Sequence, residues 1–312
     1  MSGAAVEIEG LSFSYGERTA LDNVSFEVAS GAVFGLLGPN GGGKTTLFHI
    51  ISTLFPYQTG KVRVLGHDPL AERAAVRASI GVVFQNPSLD GKLTVRENLE
   101  HHGHLYGVRG QELRERIEAA LATVAIDDRG QDTVETLSGG LKRRVELAKA
   151  MVSRPKLLIM DEPSTGLDPG ARRDLRNYIE TLRSSTGATV LLTTHLMDEA
   201  ERCDRLVILD RGQIVAEGSP DELRSNIGGE VVLIRSGDPD ALATDIRSRF
   251  GLEPVRHDGA LRLERADGHE LVERLIEAFP DAIDATTVSK PALEDVFLRA
   301  TGHRFWSEEN DG

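Results

Sequence analysis

Apolar and polar residues alternate along positions 6–30. Val6, Ile8, Leu11 and Phe13, then Val24, Phe26 and Val28, fall on one face of an extended chain, with Gly16-Glu17 between the two runs. Period-two alternation on both sides of a turn predicts a strand pair. Ala32–Leu37 is apolar and of strand length, and Thr46–Ile51 can continue as a helix. Lys61–Gly66 and Ile80–Phe84 read as further strands. From 94 to 125 the period changes: Leu99, Leu105, Leu113, Ile117, Leu121 and Val124 recur at helical intervals among charges. This predicts a helical insert, about 88–153, ending in an amphipathic helix Gly139–Val152. Leu157–Met160 is short and wholly apolar, as in a parallel strand buried on both faces. A helix at 170–184, a strand Thr189–Thr193 and a hairpin Leu206–Val215 turning at Arg211-Gly212 follow.

Near Asn226-Ile227-Gly228-Gly229 the texture shifts. Beyond it the pattern predicts strand 230–235, helix 239–250, strand pair 254–264, helix 268–279, strand 283–288 and helix 291–300. Two domains are therefore expected, 1–227 and 228–312, the second a small α+β unit. The acidic end, Ser307–Gly312, is expected to fray.

Composition removes several function classes. No window approaches the roughly 18 apolar residues of a membrane span. Met1–Glu9 has neither the basic start nor the apolar centre of a secretory leader. The single cysteine, Cys203, has no partner for an internal disulfide and reads as a packing residue of a protein in a reducing compartment. The formal net charge is −13, which repels nucleic-acid backbones and anionic lipid.

The chemistry starts at Gly38-Pro39-Asn40-Gly41-Gly42-Gly43-Lys44-Thr45-Thr46. Gly38 and Gly43 frame a phosphate-binding pattern, and it stands between a predicted strand and a predicted helix. Residues without Cβ let backbone N–H groups wrap closely round phosphate oxygens. The helix start adds its positive dipole end. Lys44 is placed for the β- and γ-phosphates and the Thr45 hydroxyl for magnesium. The plain alternative is a glycine-rich turn on any α/β protein.

Leu157–Met160 closes in Asp161-Glu162, which puts two carboxylates at the sheet edge. Asp161 suits magnesium, and Glu162 suits orienting or deprotonating an attacking water; the plain alternative is a strand capped by acids. Ser138 is a good helix N-cap, and Gly139-Gly140 leave N–H groups open at a helix start. A second anion site in a chain with one nucleotide loop is explained by two copies arranged head to tail, each completing the other's nucleotide. Its alternative is a capped helix with a basic, solvated face. His195 follows a core strand and can donate to a γ-phosphate oxygen. Gln85, at another strand end, can touch magnesium or the water. Tyr15 stacks on adenine or is a half-buried strand aromatic. His101, His102 and His104 read as solvated rather than metal-binding.

In this order, Tyr15, Gly38–Thr46, Gln85, Leu137-Ser138-Gly139-Gly140, Leu157–Glu162, Ser164-Thr165-Gly166-Leu167-Asp168 and His195 resemble the ATP-binding subunit of ABC transporters over residues 4 to about 225. Leu141 departs from the glutamine often found there. That residue, His195–Glu201 and Pro291–Leu298 are similar to the drug-exporter branch, the daunorubicin-resistance ATP-binding proteins. The resemblance implies an α/β fold: a P-loop NTPase core of the ABC ATPase type, an antiparallel β subdomain, a helical signature subdomain and a C-terminal α+β domain. It implies ATP and Mg²⁺ as ligands, with Ser138 and Gly140 of one subunit facing the γ-phosphate held by a second copy. It further implies a separate integral membrane permease as partner and a place on the cytoplasmic side of the membrane. Transport energisation competes with action on DNA or ribosomes and with ATP sensing. No sustained heptad lies between Thr46 and Ser138, only one phosphate loop is present, and the charge is acidic; these weigh against the first rival. Lys44, Asp161, Glu162 and His195 together weigh against the second.

Overall fold

The computed structural model describes residues 3–257, 259–303 and 305; the acidic segment 307–312 lies outside them. The chain divides into two compact units, Met1–Glu217 and Gly218–Gly312.

The first unit is built on a six-stranded sheet. Its order is Ile80–Val83, Leu157–Asp161, Thr189–Thr194, Val33–Leu37, Arg205–Asp210 and Gln213–Gly218. The first five strands run parallel. Every residue of Val33–Leu37, Leu157–Asp161 and Thr189–Thr194 is buried, which is why these segments are apolar without alternation. Alternate side chains nevertheless enter different cores. Leu157, Ile159 and Leu191 join a core with helix Lys44–Ile51 and a second sheet; Leu158, Met160, Val190 and Leu192 join a core with the helical lobe and helix Pro169–Thr186.

The second sheet is antiparallel, with Ala4–Tyr15 between Arg18–Ala29 and Thr59–Val64. Ile8 pairs with Phe26 on one side and Val62 on the other, so the alternating apolar set faces one core. Phe26 stacks on Phe34 of the main sheet at 5.4 Å.

In the helical lobe, the predicted periodic stretch is two helices, Val95–Leu105 and Gly110–Thr123. The break falls at Gly107, whose φ of +77 leaves the helical region. A Thr94–Glu97 capping box starts the first helix. Ser138 caps the third, Gly139–Val152, its Oγ accepting from the Leu141 N–H. His102 is not solvated: its Nε2 is enclosed, its ring lies 4.8 Å from that of Tyr106, and burial pushes its pKa down to about 4.

The second unit holds a four-stranded antiparallel sheet, ordered Val255–His257, Ala260–Arg265, Glu230–Arg235, Ala285–Ser289. Helices Pro239–Phe250 and Gly268–Ala278 cover a core of Val232, Ile234, Leu242, Ile246, Leu261 and Leu275. Helix Pro220–Ser225 belongs to this unit and lies against Leu293–Thr301. The compact units therefore part ahead of the change in texture at Asn226–Gly229.

Candidate nucleotide site

The glycine loop leaves the carboxyl end of strand Val33–Leu37, between Thr189–Thr194 and Arg205–Asp210. A Cβ on Gly38 would lie 2.4 Å from the Leu209 carbonyl oxygen, and one on Gly43 2.8 Å from Leu21 Cδ2. Gly43 is also at φ +106, where it caps helix Lys44–Ile51. Lys44 is buried; its Nζ donates to the carbonyls of Gly38 at 2.7 Å and Pro39 at 2.9 Å and lies 3.6 Å from Glu162 Oε1. Burial lowers its pKa, and the neighbouring Glu162 and Asp161 carboxylates oppose that.

Asp161 ends strand Leu157–Asp161 opposite Thr193, and its Oδ1 accepts from Thr193 Oγ1 at 2.5 Å. Burial raises its carboxyl above the usual range, and the Thr193 hydrogen bond works against that rise. Glu162 leaves the strand at φ +43, a left-handed backbone for a residue with a long side chain. Its N–H donates to Thr193 O at 3.2 Å and Thr193 Oγ1 at 2.9 Å, which holds the turn. Four groups from four segments converge on the buried carboxylate: His195 Nδ1 at 3.0 Å, Thr165 Oγ1 at 3.2 Å, Gln85 Nε2 at 3.3 Å and Lys44 Nζ at 3.6 Å.

A cleft of about 500 Å³ opens over this carboxylate, walled by Asn40, Gly41 and Gly43–Thr46 on one side and by Gln85 on another. Tyr15 forms its rim. The residue is 47% exposed, and its ring makes T-shaped contacts with Phe13 at 5.0 Å and Phe55 at 6.1 Å. Ser138, Gly139 and Gly140 do not reach this cleft. They line another of about 520 Å³, with Gly166, Leu167 and Asp168.

Three participants escaped the sequence reading. Thr193 is fully buried and joins Asp161 to the Glu162 turn; a hydroxyl at the end of an apolar strand was its signal. Arg18 lines the nucleotide cleft beside Gly41. Glu199 is buried and accepts from the hydroxyls of Ser164 and Thr194, with its carboxyl raised by burial. Nothing in its local sequence distinguishes it from a solvated helix acid. Cys203 is a packing residue, enclosed against Gly35, and burial pushes its thiol up to about 12.

Residues 21–165 match the ABC transporter family model. A daunorubicin resistance ATP-binding protein of Streptomyces coeruleorubidus is 38% identical over 312 residues, covering 97% of each chain. The Nod factor export ATP-binding protein I of Paraburkholderia xenovorans is 42% identical over 314 residues, covering 97% of this chain and 98% of its own. This chain belongs to the ATP-binding subunits of ABC transporters. Among solved structures, cbiO1 from Clostridium perfringens, part of the ABC transporter complex cbiONQ, superposes with TM-score 0.67 at 25% identity, over 80% of this chain and 96% of that one. A dimeric post-hydrolysis ATP-binding cassette bound to ADP and Pi gives TM-score 0.63 at 27% identity, over 69% and 98%. As a family member the chain is a nucleotide-binding ATP hydrolase of a fold whose cassettes dimerise. No helix among the described residues is long and apolar enough to cross a membrane.

Proposed function

We propose that this subunit couples ATP hydrolysis to export of a small molecule, such as a drug or antibiotic, through a separate integral membrane permease. It works on the cytoplasmic side as a pair of identical copies. Export is supported by relatives named for daunorubicin resistance, linearmycin resistance and Nod factor export, each aligned over nearly the whole chain. One observation carries the hydrolytic assignment: Lys44, Gln85, Thr165 and His195 all converge on Glu162.

In this reading the loop N–H groups from Asn40 to Thr46 and the Lys44 ammonium hold the β- and γ-phosphates, and Tyr15 takes the adenine. Glu162 accepts the proton of the attacking water, and His195 orients that carboxylate and donates toward the γ-phosphate. The Thr45 hydroxyl, the Gln85 carboxamide and the Asp161 carboxylate are hard oxygen donors, a set that fits Mg²⁺. When bound, the ion supplies charge neutralisation on the β- and γ-oxygens. Ser138, Gly139 and Gly140, set apart in their own cleft, cap the nucleotide of the second copy.

Glu162→Gln tests the assignment, because it keeps the size and shape of the side chain while removing the base. ATP turnover is expected to fall by a factor of about 100 or more, with ATP affinity, measured by calorimetry, little changed. Turnover at the parent rate would overturn the role given to Glu162.

A further inference from the structure

The plain expectation for the basic residues after Ser138 is a solvated helix face. Arg143 contradicts it. Arg143, Glu146 and Lys149 of helix Gly139–Val152 are only 6%, 0% and 8% exposed. At intervals of three they form one stripe along the helix, and that stripe grips one segment, residues 84–88. Arg143 Nη1 donates to Phe84 O at 2.7 Å and Nη2 to Gln85 O at 2.9 Å. Glu146 Oε1 accepts from the Ser88 N–H at 2.8 Å. Lys149 Nζ donates to Ser88 O at 2.9 Å and to Ser88 Oγ at 2.6 Å, and lies 3.1 Å from Glu146 Oε1.

Withdrawing three ions from water is costly, and apolar side chains would fill the same helix face more cheaply. The arrangement therefore calls for a role beyond stability. The guanidinium is a rigid planar fork, and here it spans the carbonyls of two consecutive peptide groups, so it fixes the backbone on both sides of the Gln85 Cα; an ammonium has no such fork. The residue fixed is Gln85, whose side chain reaches Glu162 Oε2 at 3.3 Å.

We propose that Arg143 is a positioning residue for ATP hydrolysis: its fork sets the Gln85 backbone so that the carboxamide meets Glu162, while Glu146 and Lys149 anchor the same segment at Ser88. Ser138 caps this same helix. A shift of the helix end is thereby delivered to Gln85 through direct hydrogen bonds, linking the two clefts of one chain. The inference rests on the ATPase reading above.

The test is a double-mutant cycle in the full-length chain, alone and together with the membrane permease proposed above. Arg143→Lys is expected to lower kcat about ten-fold to a hundred-fold, with little change in ATP affinity by calorimetry or in melting midpoint. In a Gln85→Ala background the same change is expected to have no further effect on kcat. Equal losses in both backgrounds, or an unchanged kcat, would overturn the proposal. If Arg143→Lys melts early, Glu146→Gln takes its place in the cycle with the same two outcomes. An unaltered chain that never hydrolyses ATP in either setting would instead refute the ATPase reading.

Discussion

At the scale of single residues, the site depends on backbone conformations that side chains resist. Glu162 holds φ +43 because its N–H has two acceptors on Thr193. Gly43 holds φ +106 where a Cβ would meet Leu21 and the Ala20 carbonyl. Gly43→Ala is expected to cost about 1–3 kcal/mol of stability, read from the urea midpoint, and to weaken ATP binding. Gly139→Ala is the contrast: nothing beyond its chain neighbours and its own helix backbone lies within 4 Å of the added Cβ, and its midpoint should be no lower than the parent's. Lys44, Gln85, Glu162 and His195 were legible because each sits in a motif or closes a predicted strand. Thr193 and Arg143 were not. Their importance depends on the pairing of Asp161 with Thr193 and on a helix face turned toward residue 85, which neither local pattern encodes.

At the scale of elements, the apolar periods located the sheet strands and the long helices, because each buries a continuous face. The short helices Arg73–Ser79, Met197–Ala200 and Pro220–Ser225 span too few residues to show a period. The helix Gly139–Val152 was located, but the burial of its charged stripe was not, since buried ions read as solvent-facing. The same lobe carries a pH dependence. His102 falls from its ordinary 6.5 to about 4, chiefly through burial and secondarily through the charge of Lys149. The unfolded chain therefore binds more protons between those values, and stability present above 6.5 is lost as pH falls toward about 4. Melting midpoints followed across that range should fall more steeply for the parent than for His102→Leu. Parallel curves would show that His102 contributes no such dependence.

At the scale of the whole molecule, all the residues assigned to the nucleotide lie within Met1–Glu217. A chain ending at Gly218, which keeps the edge strand Gln213–Gly218, is expected to fold and to bind ATP with about the parent affinity. Calorimetry on that chain checks it; loss of binding would show that the second unit contributes to the site. The accessory sheet was legible as strands and helices, but its role was not, since its apolar pattern encodes a core of its own and no chemistry. The Ser138 cleft is separate from the Lys44 cleft, and the proposed second copy is what would bring them onto one nucleotide. Crosslinking measures it directly. Cys203 is buried with a thiol raised to about 12, so it stays silent beside introduced cysteines. Glu162→Gln chains carrying Asn40→Cys are mixed with Glu162→Gln chains carrying Gly139→Cys, with and without ATP. The account predicts a disulfide between the two kinds of chain that forms with ATP and not without it; no disulfide, or one indifferent to ATP, would contradict it.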